Sequence, residues 1–156
     1  MPNKSHCVYL IGSMEFRTYE ALKFEHYYVR TRLAEIGVAK IIDPLIKEKH
    51  RPGKSVTLTK CGISPSAVYE IDMKAVEEAD ILLWMTGDII SEGSITEVAM
   101  GGAWNRWKKI PPKTIIIVSP KRYQKKLIHF SNFHKNVHIV IDVDAAIALI
   151  KKRFHL

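Results

Sequence analysis

Two short runs, Asp80-Ile-Leu-Leu-Trp-Met-Thr86 and Thr114-Ile-Ile-Ile-Val-Ser119, constrain the fold most. Each is apolar at consecutive positions rather than alternate ones, the pattern of a strand covered on both faces. Around them, apolar runs alternate with amphipathic segments. Cys7-Val-Tyr-Leu-Ile11 reads as a first strand ending at Gly12-Ser13. Tyr19 to Ile36 has helical spacing, with Leu22, Tyr28, Val29, Leu33 and Ile36 on or near one stripe, and stops at Gly37. Lys40-Ile-Ile-Asp43 is a short second strand closed by Pro44. Ser66 to Ala79 and Ser94 to Trp107 read as helices on either side of the Asp80 strand. The Thr114 strand, a basic stretch from Lys121 to Lys126, a strand at Val137-His-Ile-Val-Ile141 and a helix from Asp144 to Phe154 complete the chain. The reading is α/β: one domain over residues 1–156, a Rossmann-like or flavodoxin-like doubly wound sheet of about five parallel strands flanked by helices.

Composition excludes several classes. At 156 residues, 47% hydrophobic and 26% charged, the chain can bury its own core. Met1-Pro-Asn-Lys-Ser-His6 lacks the apolar stretch of a secretory signal, and no segment approaches the roughly 20 apolar residues of a membrane span. A soluble, cytoplasmic protein without a membrane partner is expected. Cys7, inside an apolar run, and Cys61, in a loop, are too few for a disulfide framework or a zinc site, and Cys7 is expected in the core. The net charge of +8 favours anionic partners. Nucleic acid is disfavoured, because no basic helix, aromatic RNA-binding signature or zinc finger is present. A phosphorylated small molecule fits the charge equally well.

Strand carboxyl ends carry the functional loops of such a sheet, so Gly12-Ser13, Asp43 and the loop from Gly87 to Gly93 should converge on one edge. The segment from Leu45 to Pro65 is polar and basic, with Lys47, Lys49, Arg51, Lys54 and Lys60, and a connection of that length is usually functional or disordered. In Gly87-Asp-Ile-Ile-Ser-Glu-Gly-Ser-Ile-Thr-Glu97, a polar turn follows a buried strand and leads to a carboxylate in the first turns of a helix.

Three stretches together resemble the nucleoside 2-deoxyribosyltransferase superfamily, which includes the nucleoside 5'-monophosphate N-glycosidases. They are Tyr9-Leu-Ile-Gly-Ser13, Asp72 with Ala79-Asp80, and Ser91-Glu-Gly-Ser-Ile-Thr-Glu97, and the resemblance runs from about Tyr9 to Val118. It implies that Glu97 is the nucleophile, that Tyr9 holds it in place and that Asp72 serves the leaving base. Cleaving an N-glycosidic bond builds positive charge on C1' and the ring oxygen, which a carboxylate can stabilise or attack. Each residue also has a plainer reading. Ser94 to Glu97 is a Ser-x-x-Glu capping box, Tyr9 fits core packing, and Asp72 fits an exposed helical acid. Asp80 fits a helix-to-strand junction.

Six residues before Glu97 stands Ser91, where the resemblance sets an aspartate in enzymes of free nucleosides and a serine in those of monophosphates. A hydroxyl there can donate to a phosphate that a carboxylate would repel. Gly12, Ser13, Arg17, Asp88, Ser91, Gly93 and Ser94 are therefore the candidate sugar and phosphate contacts. Glu15 stands in Met14-Glu-Phe-Arg17, where those hydrolases carry a basic, glycine-containing loop, and Asp88 and Glu92 add further acids near the loop from Gly87 to Gly93. The expected activity is hydrolysis of a nucleoside 5'-monophosphate to base and sugar phosphate. The alternatives are base exchange on free deoxynucleosides, a phosphoribohydrolase and a non-catalytic nucleotide sensor. No metal or organic cofactor is expected, and His129, His134 and His138, in a region read as irregular, have no carboxylate or cysteine nearby in sequence. Trp84, Trp104 and Trp107 are read as core or interface residues. The small residues Val98, Ala99, Gly101, Gly102 and Ala103 suggest close helix packing in a homodimer or higher homo-oligomer, as the resemblance also implies.

Overall fold

The computed structural model describes residues 6–12, 17–47, 64–87, 90–107 and 111–156. Five strands, β1 (Cys7–Gly12), β2 (Lys40–Ile42), β3 (Ile81–Met85), β4 (Thr114–Val118) and β5 (Val137–Val140), form one sheet in the order β2-β1-β3-β4-β5. Every pair is parallel. Five α-helices flank it: α1 (Tyr19–Glu35), α2 (Pro65–Glu78), α3 (Glu92–Trp107), α4 (Lys121–Phe133) and α5 (Val143–Phe154). This is the Rossmann-like α/β architecture that the alternating pattern implied.

The two faces of the sheet separate by residue parity. Tyr9, Ile11, Leu82, Trp84, Ile115 and Ile117 pack with Ala75 and Val76 of α2, Val98 of α3 and Leu127 of α4. Val8, Leu10, Ile81, Leu83, Met85 and Ile116 pack instead with Val29 and Leu33 of α1 and Ala146, Ile147 and Ile150 of α5. The chain leaves β1 toward one face and β3 toward the other. The carboxyl ends of these adjacent strands therefore form the crevice where open α/β sheets bind ligands.

Local signals fix most element ends. Thr18 caps α1 by accepting from the Ala21 amide, Ser64 caps α2 from the Ala67 amide, and Asp142 caps α5 from the Ala145 amide. After α1 the chain turns at Gly37, whose φ of 86° suits glycine. At the opposite edge from the crevice, the buried Lys113 ammonium donates to the carbonyls of Glu77 and Ala79 at 2.8 and 2.7 Å. These are orphan acceptors at the end of α2, and the positive charge suits the helix dipole. Burial pulls the Lys113 amine below its ordinary range. Asp80 accepts the Cys7 amide at 3.1 Å, which ties the start of β3 to β1 and gives this acid the junction role read from sequence. Cys7 is buried in the core as expected.

Several sequence expectations are corrected. The region after β4 is not irregular: Lys121–Phe133 is helix α4, His129 lies within it, and His138 lies on β5. Helix α3 begins at Glu92 rather than Ser94. On α1, Tyr28 is exposed and donates to Asp144 at 2.9 Å, and the buried stripe position belongs to His26. Gly101 and Gly102 do not form an outward packing face. A Cβ on Gly101 would lie 2.2 Å from Leu82 Cδ1, and one on Gly102 would lie 2.3 Å from the His134 ring, so both glycines serve contacts within this chain. Helix α3 turns Ile95, Met100 and Trp107 outward instead. Among the tryptophans, Trp84 is buried in the core, and Trp104 lies under the Lys113 ammonium, 4.7 Å from the ring centroid. No helix among the described residues is long and apolar enough to cross a membrane.

Candidate active site

Tyr9 is in the middle strand of the β2-β1-β3 trio, and its ring is buried toward α2 and α3. Its hydroxyl meets both acids that the sequence singled out. It donates to Glu97 Oε1 in a short hydrogen bond and lies 3.3 Å from Asp72 Oδ1. Three residues separated by up to 88 positions in sequence thus share one hydrogen-bonded group.

The capping-box reading of Glu97 does not hold. Ser91 is the residue that caps α3: its hydroxyl accepts from the Ser94 amide at 3.2 Å, and its carbonyl accepts from the Ile95 amide at 3.2 Å. Glu97 lies beyond the first turn, and its carboxylate is engaged by a phenol instead of an orphan amide. Tyr9 is likewise more than packing, and Asp72 is partly buried rather than a solvated helical acid.

The electrostatics follow from burial. Desolvation pushes the Glu97 carboxyl up to about 8; the Tyr9 hydrogen bond pulls it down, and Asp72 adds to the rise. Burial also raises Asp72, against the opposing pull of Tyr9. The Tyr9 phenol is raised well above its ordinary range by burial and by the two acids, so it stays protonated. The group therefore holds a carboxyl proton to a higher pH than free carboxylic acids would. Such an arrangement supplies both a nucleophile or charge stabiliser and an acid.

Of the other expected contacts, those among the described residues lie toward the same edge of the sheet. Gly12 ends β1, and Gly87, with a φ of 58°, turns the chain after β3. Arg17 reaches from the start of α1 to this turn. Its Nη1 is 3.7 Å from where a Cβ on Gly87 would stand, and its other amino group is paired with Glu25. Ser91 and Ser94 are buried and joined to each other, with 2.9 Å between their hydroxyl oxygens. Gly93 is exposed and faces open space. Ser13, Asp88 and the basic 48–63 segment lie outside the described residues.

One polar cluster escaped the sequence reading. His26 Nδ1 is 2.7 Å from Asp43 Oδ1, with both side chains 1% exposed. The same oxygen accepts the Leu45 amide at 3.0 Å, and Arg30 Nε is 3.4 Å from Oδ2. The His26 ring abuts Gly12: a Cβ there would lie 3.2 Å from Nε2. The detectable signal was a histidine placed i+4 from Leu22 and i−3 from Val29 on an apolar stripe. Among the described residues, no set of three or more His, Cys, Asp or Glu side chains is gathered as a metal site.

No family model matches the chain, and no curated protein matches it in sequence. Solved structures do match. A conserved protein from Enterococcus faecalis V583 superposes with a TM-score of 0.64 at 12% identity, covering 96% of this chain and 99% of its own. A CMP N-glycosidase of Clostridium botulinum, BcmB, superposes with a TM-score of 0.59 at 20% identity, with the same coverage of 96% and 99%. At these identities the likeness establishes a shared fold along nearly the whole length of each chain.

Proposed function

We propose that this protein is an N-glycosidase of the nucleoside 2-deoxyribosyltransferase superfamily that hydrolyses a nucleoside 5'-monophosphate to free base and sugar phosphate. The observation that carries the reading is the bonding of Tyr9 to both Glu97 and Asp72. The fold shared with the Clostridium botulinum CMP N-glycosidase supports it. So does the net charge of +8, which favours an anionic substrate.

Two carboxyl oxygens that touch one phenol oxygen stand no more than about 6 Å apart, the short spacing that accompanies a covalent glycosyl-enzyme intermediate rather than direct attack by water. In this mechanism ionised Glu97 attacks C1' while protonated Asp72 gives its hydrogen to the departing base nitrogen. Asp72, now a carboxylate, then takes a proton from the water that attacks C1' and releases Glu97. Tyr9 fixes the Glu97 rotamer by occupying one oxygen, which leaves the other for C1'. The 5'-phosphate is assigned to the edge formed by Gly12, Arg17 and the amino end of α3, where the amides of Glu92 and Gly93 precede the first helical hydrogen bonds, with Ser13 kept as a candidate contact from its place in the sequence after Gly12. Ser91 and Ser94 shape that helix end.

The test is chromatographic. The protein is incubated with the ribo- and deoxyribonucleoside monophosphates and with the matching free nucleosides, and released base is measured. Release from monophosphates, abolished by Glu97→Ala, is the expected result. Exchange of base between free deoxynucleosides would make the protein a transferase, and no release from any of them would refute the assignment.

A further inference from the structure

The Tyr9 hydroxyl has one hydrogen to donate but contacts two carboxyl groups. A phenol oxygen can donate once and accept through its lone pairs. Both contacts are therefore full two-centre hydrogen bonds only when one of the carboxyl groups supplies a hydrogen itself, since otherwise one phenol hydrogen is divided between two acceptors. Two arrangements satisfy this. In the first, protonated Glu97 donates to the phenol oxygen and the phenol donates to the Asp72 carboxylate. In the second, protonated Asp72 donates to the phenol oxygen and the phenol donates to the Glu97 carboxylate.

The two states carry the same charge and the same number of protons. They differ only by the concerted movement of two hydrogens, one across each contact. Only the second is equipped for glycosidic cleavage, with an ionised nucleophile and a protonated acid. We propose that Tyr9 is the proton conduit between these groups, so that the hydrogen Glu97 must lose is replaced, through the phenol, by one on Asp72 that goes to the leaving base. This rests on the glycosidase reading above for its chemistry, whereas the proton sharing itself rests on the geometry alone.

The step balances. The Glu97 O–H bond breaks as a new phenol O–H bond forms, and the original phenol O–H bond breaks as an Asp72 O–H bond forms. The Glu97 lone pair then makes the bond to C1', the C1'–N pair leaves with the base, and the Asp72 hydrogen joins that nitrogen. Burial favours the relay, because it raises both carboxyl groups and so keeps a proton between them to a higher pH than free acids would. Groups coupled this closely titrate as a pair, in steps that belong to neither residue alone.

The experiment has two readouts. In the first, carbon-13 resonances of the Asp72 and Glu97 carboxyl groups are followed against pH in the free protein. Proton sharing makes both resonances report the same two midpoints in the wild type and single, separate midpoints in Tyr9→Phe. If Tyr9→Phe does not fold, Asp72→Asn should collapse the Glu97 titration to one step. Independent one-step titrations in the wild type would overturn the proposal.

The second readout compares an ordinary nucleoside monophosphate with N7-methylguanosine 5'-monophosphate, whose cationic base departs without needing a proton. Loss of the conduit should slow Tyr9→Phe on the ordinary substrate by at least about tenfold more than on the methylated one, since only the former needs the acid. Equal losses would make Tyr9 a holder of Glu97 and nothing more. A wild-type protein that shows coupled titration but releases no base from either substrate would refute the glycosidase assignment and leave the proton sharing standing.

Discussion

Helix α3 contains an internal control for the packing that places Glu97. Gly101 is one turn beyond Glu97 on the same helical face, pressed against β3, whereas Gly93 is exposed at the start of the helix. Replacing either by alanine should gain helix propensity, up to about 1 kcal/mol in the interior and less in the first turn. At Gly93 nothing lies within 4 Å of the added carbon, so that gain should stand. At Gly101 the added carbon would be 2.2 Å from Leu82 Cδ1, against an ordinary contact of 3.4–4 Å, and 3.5 Å from Ile115 Cδ1. Either the end of the fully buried Leu82 moves by more than about 1 Å into a filled core, or α3 lifts from the sheet; overpacking of this kind costs about 1–3 kcal/mol. Set against the full propensity gain, the net for Gly101→Ala is a loss of up to about 2 kcal/mol, a fall in melting temperature of up to roughly 8 °C, with a small rise for Gly93→Ala. Lifting α3 also lengthens the Tyr9 to Glu97 bond, and a misplacement of about 1 Å can cost on the order of a hundredfold in rate. Thermal melts of both variants, together with base release, measure the two effects. A Gly101→Ala protein that melts at or above Gly93→Ala would refute this account of how α3 is seated.

Other outcomes follow from the buried polar groups. Tyr9→Phe should leave Glu97 with one midpoint above about 8, higher by about 1–2 pH units for one lost hydrogen bond to a charged group, as read by carboxyl resonances; a midpoint at or below about 8 would contradict the pull assigned to the phenol. Because Glu97 is raised in the folded state, its contribution to stability is complete below its ordinary value of 4.5 and is lost as pH rises through about 8. Urea unfolding of Glu97→Gln should therefore be flatter with pH than the wild type across that window, and parallel curves would exclude the linkage. Asp43→Ala, which strips His26 and Arg30 of their shared acid, should cost about 3–5 kcal/mol, while Asp43→Asn, still able to accept from His26 and Leu45, should cost less. Lys113→Met should lose about 2–3 kcal/mol in the same assay by abandoning two carbonyls at the end of α2, and a neutral result would mean that water replaces the ammonium there.

The sheet was legible because β3 and β4 are apolar at successive positions, a pattern that a half-exposed element rarely has. Helix α4 was not, because its start is Pro120 without a side-chain cap and its surface is crowded with lysine. Two signals were present nonetheless. Tyr123, Leu127 and Phe130 recur at helical spacing, and a parallel β4–β5 pair requires a long crossover. In the site, Glu97 stood out by its position after a buried strand. The continuous apolar run of β1 made Tyr9 a core residue but carried no information about where its hydroxyl points, so its partner came only from resemblance. The His26–Asp43 pair remained hidden because an apolar stripe does not reveal which buried polar groups meet across elements. Ser91 illustrates a further ambiguity, since a serine at a helix start satisfies a cap and a phosphate with the same hydroxyl.

The seat of Tyr9 on β1 gives the chemistry an unusual guardian. The strand lies between β2 and β3, so its ladder is paired on both sides and belongs to the part of the protein expected to open last. Residues beyond the carboxyl ends of the strands stand outside that ladder, so a change of sequence there leaves the seat of the phenol in place. Under the glycosidase reading proposed above, such changes could exchange one nucleotide for another while Tyr9 and its two acids are inherited intact.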